Sequence, residues 1–146
     1  MAKYKQGRYI PTNPEKWVNP ENIIYRSSWE FFFSKWADNN PNVLKVASEE
    51  FFIPYFYEPD QKWHRYFPDY IMEYIDKNKN IQKVVVEIKP YAETIPPKRG
   101  KKREKTFLTE VLTYEKNHAK WTAAKKFCEE NNMKFIVLTE FELGIK

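Results

Sequence analysis

The sequence predicts a domain of the α/β or α+β class, with a mixed central sheet flanked by helices. Its 146 residues, of which 42% are hydrophobic, are enough to build one core. Segments with helical and with strand periodicity alternate in the order helix, strands, loop, helix, strand. Neither a repeat nor a linker divides the sequence, so we expect one domain over residues 1–146.

The first elements follow from capping residues and apolar spacing. Residues 1–22 are rich in proline and asparagine, which predicts an irregular N-terminal arm. Ser27 or Ser28 can cap a helix that runs to about Asn39. The apolar stripe of this helix follows i, i+3, i+4, i+7 spacing and consists of Trp29, Phe32, Phe33 and Trp36.

Strand signals follow this helix. Residues 43–58 predict one or two strands that break or bend near Pro54, and "EPDQ" at 58–61 predicts a turn. Residues 64–75, "HRYFPDYIMEYI", and 81–89, "IQKVVVEIK", predict two further strands joined by "DKNKN".

The C-terminal part of the chain predicts a loop, a helix and a strand. Prolines and a glycine make residues 90–106 a loop, and "MKFIVLTEFEL" predicts a closing strand. The helix between them runs from Phe107 to about Asn131, and its expected core side is Leu108, Val111, Leu112, Ala119, Ala123 and Phe127.

Composition narrows the possible functions. Cys128 is the only cysteine, which excludes an internal disulfide and a cysteine-based zinc site and favours a reducing compartment. No run approaches the roughly 18 apolar residues of a membrane span, and the N-terminus lacks the apolar core of a secretory signal. The net charge of +5 favours an anionic partner such as nucleic acid.

The predicted hairpin brings three charged side chains to one end. If its turn is centred on Asn78, antiparallel partners have residue numbers that sum to 156, so Glu73 faces Lys83 and Asp69 faces Glu87. Because side chains alternate along a strand, Glu87 and Lys89 share a face with Asp69.

Two carboxylates about 5 Å apart repel each other unless a positive charge lies between them. A magnesium ion can supply this positive charge, because it prefers oxygen ligands and is bound by few carboxylates. An ammonium cannot be a ligand, but Lys89 can orient a water or stabilise phosphate charge. Asp69, Glu87 and Lys89 therefore point to hydrolysis of a phosphodiester.

A purely structural interpretation also fits the spacing. Asp69 can be an acid at a strand end, and Glu87 and Lys89 can form the solvent face of an edge strand. The apolar run Val84–Val86 favours instead a strand that is covered on both faces. Glu87-Ile88-Lys89 is also the only E-x-K in the chain, and the other Pro-Asp pair lies in the turn at 58–61.

These residues resemble the motif of the PD-(D/E)XK nuclease superfamily, with Pro68-Asp69 followed by Glu87-Ile88-Lys89. The element order is similar to the branch that contains the end-cutting nucleases of heteromeric transposases. The sequence resembles more closely the head-completion nucleases of tailed bacteriophages, over nearly its whole length. That resemblance is carried by "YRSSWE", Ser48-Glu49-Glu50 before "IPY", "HRYFPD", "EIKPY" and "NHAKW".

The resemblance implies a restriction-endonuclease-like core and a divalent metal, normally Mg²⁺, for which Mn²⁺ can substitute. It assigns Asp69 and Glu87 as metal ligands, Lys89 as the catalytic lysine, and Glu30 as the helix acid that completes the site. Spacing alone leaves Glu30 open, because a helical glutamate is usually only solvated.

Basic residues suggest where DNA would lie. The loop before the last helix carries six cations, which either form a solvated loop or bind phosphates close to the strand that bears Glu87. They are Lys98, Arg99, Lys101, Lys102, Arg103 and Lys105. In the helix, Lys116 and Lys120 are one turn apart and can hold a backbone phosphate. His64 and His118 lack a second histidine at ligand spacing, so a histidine metal site is disfavoured.

The prediction is a Mg²⁺-dependent endonuclease that acts on double-stranded DNA. The resemblance further implies processing of DNA ends during phage head completion, before tail attachment, with portal or head–neck proteins as partners. The expected location is the host cytoplasm, with association to the virion. Two alternatives stay open: a transposon-end, repair or junction nuclease of the same fold, and a non-catalytic DNA-binding head protein.

Overall fold

The computed structural model describes residues 6–145, which form a mixed α+β architecture. The helices within this range are α1 (Ser28–Asn39), α2 (Glu104–Glu130) and α3 (Glu140–Leu143). The strands within it are β1 (Gly7–Arg8), β2 (Ile24–Tyr25), β3 (Val43–Ser48), β4 (Ile53–Tyr57), β5 (Lys62–Tyr66), β6 (Tyr70–Ile75), β7 (Ile81–Ile88) and β8 (Lys134–Leu138). None of the helices in this range is long and apolar enough to cross a membrane.

The central sheet has the strand order β3-β6-β7-β8 and is mixed, as predicted. The pairs β3–β6 and β6–β7 are antiparallel, whereas β8 runs parallel to β7. Strand β7 lies in the interior of the sheet and is buried continuously from Val84 to Ile88, which explains its unbroken apolar run.

Helix α1 covers one face of this sheet. Its N-cap is Ser27, whose side chain accepts a hydrogen bond from the backbone N–H of Glu30, as the capping pattern predicted. The predicted apolar stripe was half wrong. Trp29 and Phe33 are buried, but Phe32 and Trp36 are 46% and 44% exposed, because Ala37 and Asp38 occupy the inner face instead.

Helix α2 packs on the opposite side, against the β4–β5 pair and β8. Asn117, Trp121, Ala124 and Cys128 form its buried face. The helix begins at Glu104, three residues earlier than predicted, and the predicted core residues Leu108 and Leu112 are 55% and 51% exposed. The first turns of α2 extend beyond the sheet, so Leu108 and Leu112 are not covered by the core.

Three of the strand predictions were wrong in their boundaries. The segment "MKFIVLTEFEL" forms a strand only from Lys134 to Leu138, because Thr139 caps the short helix α3 that follows. Residues 64–75 do not form one strand, because the chain leaves β5 at Tyr66 and enters β6 at Tyr70. These strands belong to different sheets: β5 pairs with β4 in a separate two-stranded sheet. Likewise, the break within residues 43–58 lies before Ile53, and Pro54 is inside β4.

The part of the predicted N-terminal arm that is described, residues 6–22, packs on the end of α1. Its anchor is the buried carboxylate of Asp38, which accepts hydrogen bonds from the Tyr9 hydroxyl at 2.6 Å and from the backbone N–H of Thr12 at 2.7 Å. Burial alone would raise the pKa of Asp38, but these hydrogen bonds outweigh it and lower the pKa. Residues 1–5 of the predicted arm lie outside the described residues.

Candidate active site

Asp69 lies at the open end of the β6–β7 hairpin. The six ladder pairs run from Ile75 opposite Ile81 to Tyr70 opposite Val86, in the predicted register. Asp69 is one position beyond the last pair, and its Oδ2 accepts a hydrogen bond from the backbone N–H of Ile88 at 2.7 Å. This hydrogen bond holds the Asp69 carboxylate next to Glu87 at the end of the hairpin.

Glu87 is a buried carboxylate in the interior strand, with 6% of its surface exposed. Its Oε1 accepts a hydrogen bond from the Tyr66 hydroxyl at 2.7 Å, and its Oε2 is 3.8 Å from the Lys89 Nζ. Tyr66 comes from the end of β5, so the turn between β5 and β6 brings the second sheet to this site. One oxygen of Glu87 is thus fixed by a phenol and the other faces an ammonium.

Glu30 is delivered by the first turn of α1. Its carboxylate Oε1 accepts a hydrogen bond from the backbone N–H of Arg26 at 3.3 Å, and its backbone carbonyl accepts one from the Tyr70 hydroxyl at 2.9 Å. The second bond joins the helix to the first residue of β6, directly after Asp69. The structure therefore brings Glu30 to the same end of the hairpin as Asp69 and Glu87.

The three acids are electrostatically linked. Burial, followed by the charges of Glu87 and Glu30, holds the pKa of Asp69 well above its usual range. Burial also raises the pKa of Glu87, although Lys89 and the Tyr66 hydrogen bond oppose the rise. Burial and the charges of Glu49 and Glu87 raise the pKa of Glu30 to about 7. The hydrogen bond from the Arg26 backbone and the Arg26 charge oppose this rise. Negative charge at this point is not fully compensated by the protein.

Helix α2 adds a second ammonium to the site. The Lys120 Nζ lies 5.9 Å from the centre of the Tyr66 ring, and burial together with the charge of Lys89 lowers its pKa. Lys116, one turn earlier, lies over the Tyr57 ring at 5.5 Å. Of the two helix lysines, Lys120 is therefore the one that reaches the acids.

The predicted basic loop does not reach the acids. Five of its cations precede α2, Lys105 lies in the first turn of α2, and all six are exposed. Lys102 forms an ion pair of 2.6 Å with Glu110, an acid that the sequence did not link to the loop. The loop nevertheless begins immediately after Lys89, so its exposed cations follow the site closely in the sequence.

Sequence reasoning overlooked two features of the site. It did not identify Tyr66 as the donor that fixes Glu87, because the two residues lie in different sheets. It also gave no role to Glu49, which Arg26 holds through hydrogen bonds of 3.1 Å from Nε and Nη2. The available signal was Glu49 within the Ser48-Glu49-Glu50 motif.

The donor chemistry of this site fits a hard divalent cation. No group of three or more histidine, cysteine, aspartate or glutamate side chains within residues 6–145 is arranged to hold a metal unaided. Magnesium does not require such a group, since it is usually bound through one or two carboxylates and keeps several waters. Asp69 and Glu87, with pKa values raised by burial, supply oxygens of that kind. The histidines are elsewhere: His64 pairs with Asp60 at 2.7 Å.

Comparison with known proteins identifies relatives over most of the chain. The family model described as "TnsA-like endonuclease N terminal" matches residues 40–140, a range that contains Asp69, Glu87 and Lys89 and omits Glu30. The sequence is 39% identical over 139 residues to the head completion nuclease of Enterobacteria phage T4, which covers 92% of this chain and 90% of that relative. No solved structure matches the chain at a significant level.

Proposed function

The chain belongs to the TnsA-like endonuclease family, and we propose that it is a Mg²⁺-dependent endonuclease that hydrolyses phosphodiester bonds of double-stranded DNA. The observation that carries this proposal is the meeting of Asp69, Glu87 and Lys89 at one end of the β6–β7 hairpin. Hydrolysis of a phosphodiester requires a site that neutralises phosphate charge and activates a water. Buried carboxylates can hold a divalent cation that would meet both requirements, and the lysine adds a second positive charge.

Asp69 and Glu87 would hold the metal, and Glu30 would support the metal or its water. Such an ion supplies Lewis-acid activation of water and neutralises charge on the phosphate. Tyr66 keeps Glu87 in one orientation through its hydrogen bond of 2.7 Å. The Lys89 ammonium orients the attacking water and stabilises the negative charge that develops on the phosphate oxygens.

The cations around the site would position the DNA backbone. Lys120 and Lys116 lie along α2, and the loop cations begin a few residues after Lys89. Lysine and arginine contacts to phosphates fix a register on DNA and carry little sequence information. We therefore propose that this nuclease selects its substrate by shape rather than by base sequence.

We extend the proposal to phage head completion, because the T4 relative that bears this name aligns with nearly the whole chain. In that role the enzyme would process DNA ends in the host cytoplasm before the tail attaches, beside portal or head–neck proteins. The TnsA-like family model favours a second candidate, which is cleavage of transposon ends or branched junctions by the same site.

A cleavage assay on linear, nicked and branched DNA tests the proposal. We expect cutting with Mg²⁺ or Mn²⁺ and none with chelator, because Asp69 and Glu87 need a cation to tolerate a phosphate. Cutting of linear ends supports the head-completion role, whereas cutting confined to branched DNA supports the second candidate. Undiminished cutting in chelator, or no cutting of any substrate while DNA is still bound, would overturn the enzymatic proposal.

The loop cations give a separate prediction about binding. Replacing Lys101, Lys102 and Arg103 by alanine is expected to weaken DNA binding for all sequences. The slope of log affinity against log salt should become less steep by about 0.9 for each phosphate that the variant no longer neutralises. The change should correspond to fewer than three phosphates, since Lys102 is already paired with Glu110. Fluorescence anisotropy between roughly 50 and 200 mM salt measures this slope.

A charge-matched variant controls for the change in net charge. Lys77, Lys79 and Lys126 are also exposed, but they lie in the β6–β7 turn and near the end of α2. Their replacement by alanine should leave the salt slope unchanged. Equal slopes for the two triple variants would remove the loop from the DNA-binding surface.

A further inference from the structure

A cleft separates the loop after β7 from the first half of α2. It has a volume of about 520 Å³, within the size range of small-molecule sites. The loop contributes Ile95, Pro96 and Pro97 to one wall, and α2 contributes Thr113 and Tyr114 to the other. This cleft is distinct from the carboxylate site, which lies at the end of the β6–β7 hairpin.

Asn117 lines this cleft and is the strongest sign that the cleft binds a ligand. Asn117 is only 6% exposed, and no hydrogen bond joins its carboxamide to another residue in the range 6–145. Within that range Trp121 Nε1 is the one fully buried side-chain polar atom without a partner, so the Asn117 carboxamide opens into the cleft. Its donor and its acceptor are therefore available to a group that replaces solvent in the cleft. A ligand that both donates and accepts hydrogen bonds would satisfy both ends of this carboxamide.

Both walls of the cleft lie close in sequence to residues of the proposed active site. On the loop, Ala92 lines the cleft and lies three residues after Lys89. On α2, Asn117 lies three residues before Lys120, which corresponds to about 4.5 Å along the helix axis. A DNA strand whose phosphate contacts Lys89 and Lys120 would therefore lie close to the cleft.

The lining matches a neutral, planar group with polar edges. Proline and isoleucine offer apolar surface, and Tyr114 offers an aromatic ring. Charges nearly balance, because Lys98 and Lys102 are matched by Glu93 and Glu110, and Lys102 is paired with Glu110 at 2.6 Å. A phosphate would meet two carboxylates here, whereas a nucleobase would stack and hydrogen-bond.

We infer that the cleft takes one unpaired nucleobase of the DNA substrate, which stacks against Tyr114 and hydrogen-bonds to Asn117. This inference rests on the proposed function and names its substrate class: DNA ends or junctions in which a nucleotide next to the cleaved phosphate is unpaired. A paired base would first have to leave the duplex, which costs a few kcal/mol and makes unpaired substrates preferred.

Binding of 2-aminopurine DNA tests the inference without requiring cleavage. Two duplexes of equal length are compared in Ca²⁺ buffer, one blunt and one with a terminal unpaired 2-aminopurine on either strand. We expect the unpaired end to bind roughly tenfold more tightly, the effect of one stacked base, with a change in 2-aminopurine fluorescence. Asn117→Leu should bring the affinity ratio close to one.

Two matched substitutions test the same inference if Asn117→Leu fails to fold. Thr113→Phe fills the cleft from an exposed helix position, and Thr122→Phe makes the same change at an exposed position of α2 outside the cleft. Thr113→Phe should abolish the preference and Thr122→Phe should retain it. Equal binding of both duplexes by the parent, or a preserved preference in Thr113→Phe, would overturn the inference. If the parent cleaves DNA but lacks this preference, the cleft assignment is wrong and the proposed nuclease function still stands.

Discussion

Replacing Lys89 by alanine is expected to reduce the rate of DNA cleavage by about 100- to 1,000-fold, the usual effect of removing one group that stabilises transition-state charge. The substitution should leave folding intact, because Lys89 follows the last residue of β7 and about a quarter of its side chain is exposed. DNA binding should persist, since the other proposed cations remain available to contact the DNA backbone. Single-turnover cleavage in Mg²⁺ and binding in Ca²⁺ measure the two effects separately.

Lys83→Ala is the matched control for this experiment. Lys83 is a lysine of the same strand, but it lies near the hairpin turn and faces Glu73. Its replacement should change neither cleavage nor binding. If Lys89→Ala cuts linear DNA as fast as the parent, Lys89 has no catalytic role, and the site would have to be rebuilt around Lys120.

Local signals made much of the fold predictable. The Ser27 cap defined the start of α1, and strand alternation around the turn at 76–80 defined the β6–β7 register. Both features depend on residues close together in the sequence, where propensity and spacing act directly. The same register placed Asp69 beside Glu87, so the hairpin part of the candidate site followed from counting alone.

Features that depend on tertiary contacts were not predictable. Nothing in the alternation of residues 64–75 shows that β5 leaves for another sheet, and this departure is what brings Tyr66 onto Glu87. The exposure of Trp36 likewise depends on which side of α1 faces the core, and that of Leu112 depends on how far α2 extends past the sheet. The unpartnered carboxamide of Asn117 has no sequence signature, because any helical asparagine has the same local pattern.

Replacing Asp69 by asparagine is expected to stabilise the metal-free protein at pH 8. Burial and neighbouring acids raise the pKa of Asp69 in the folded state above its unfolded value of about 3.9. Its contribution to stability is therefore complete below the unfolded pKa and is lost as pH rises through the folded one. The carboxamide of the variant cannot ionise, and its carbonyl oxygen can still accept the Ile88 N–H. We expect a gain on the order of 1–3 kcal/mol that disappears towards pH 4.

Urea unfolding in chelator and in Mn²⁺ checks this prediction, with Asp76→Asn as a control of opposite sign. Hydrogen bonds from Asn80 and Gln82 lower the pKa of Asp76, so that substitution should destabilise the protein at pH 8. A cation at 100 times its dissociation constant should stabilise the parent by about 2.7 kcal/mol and Asp69→Asn by much less. Equal stabilisation of both by Mn²⁺, or a parent more stable than Asp69→Asn in chelator at pH 8, would contradict a cation site at Asp69. Asp69→Asn should therefore raise the free energy of unfolding in chelator and reduce the stabilisation by Mn²⁺. A residue retained for folding would not show this pair of opposite effects, whereas a residue retained for binding a cation would.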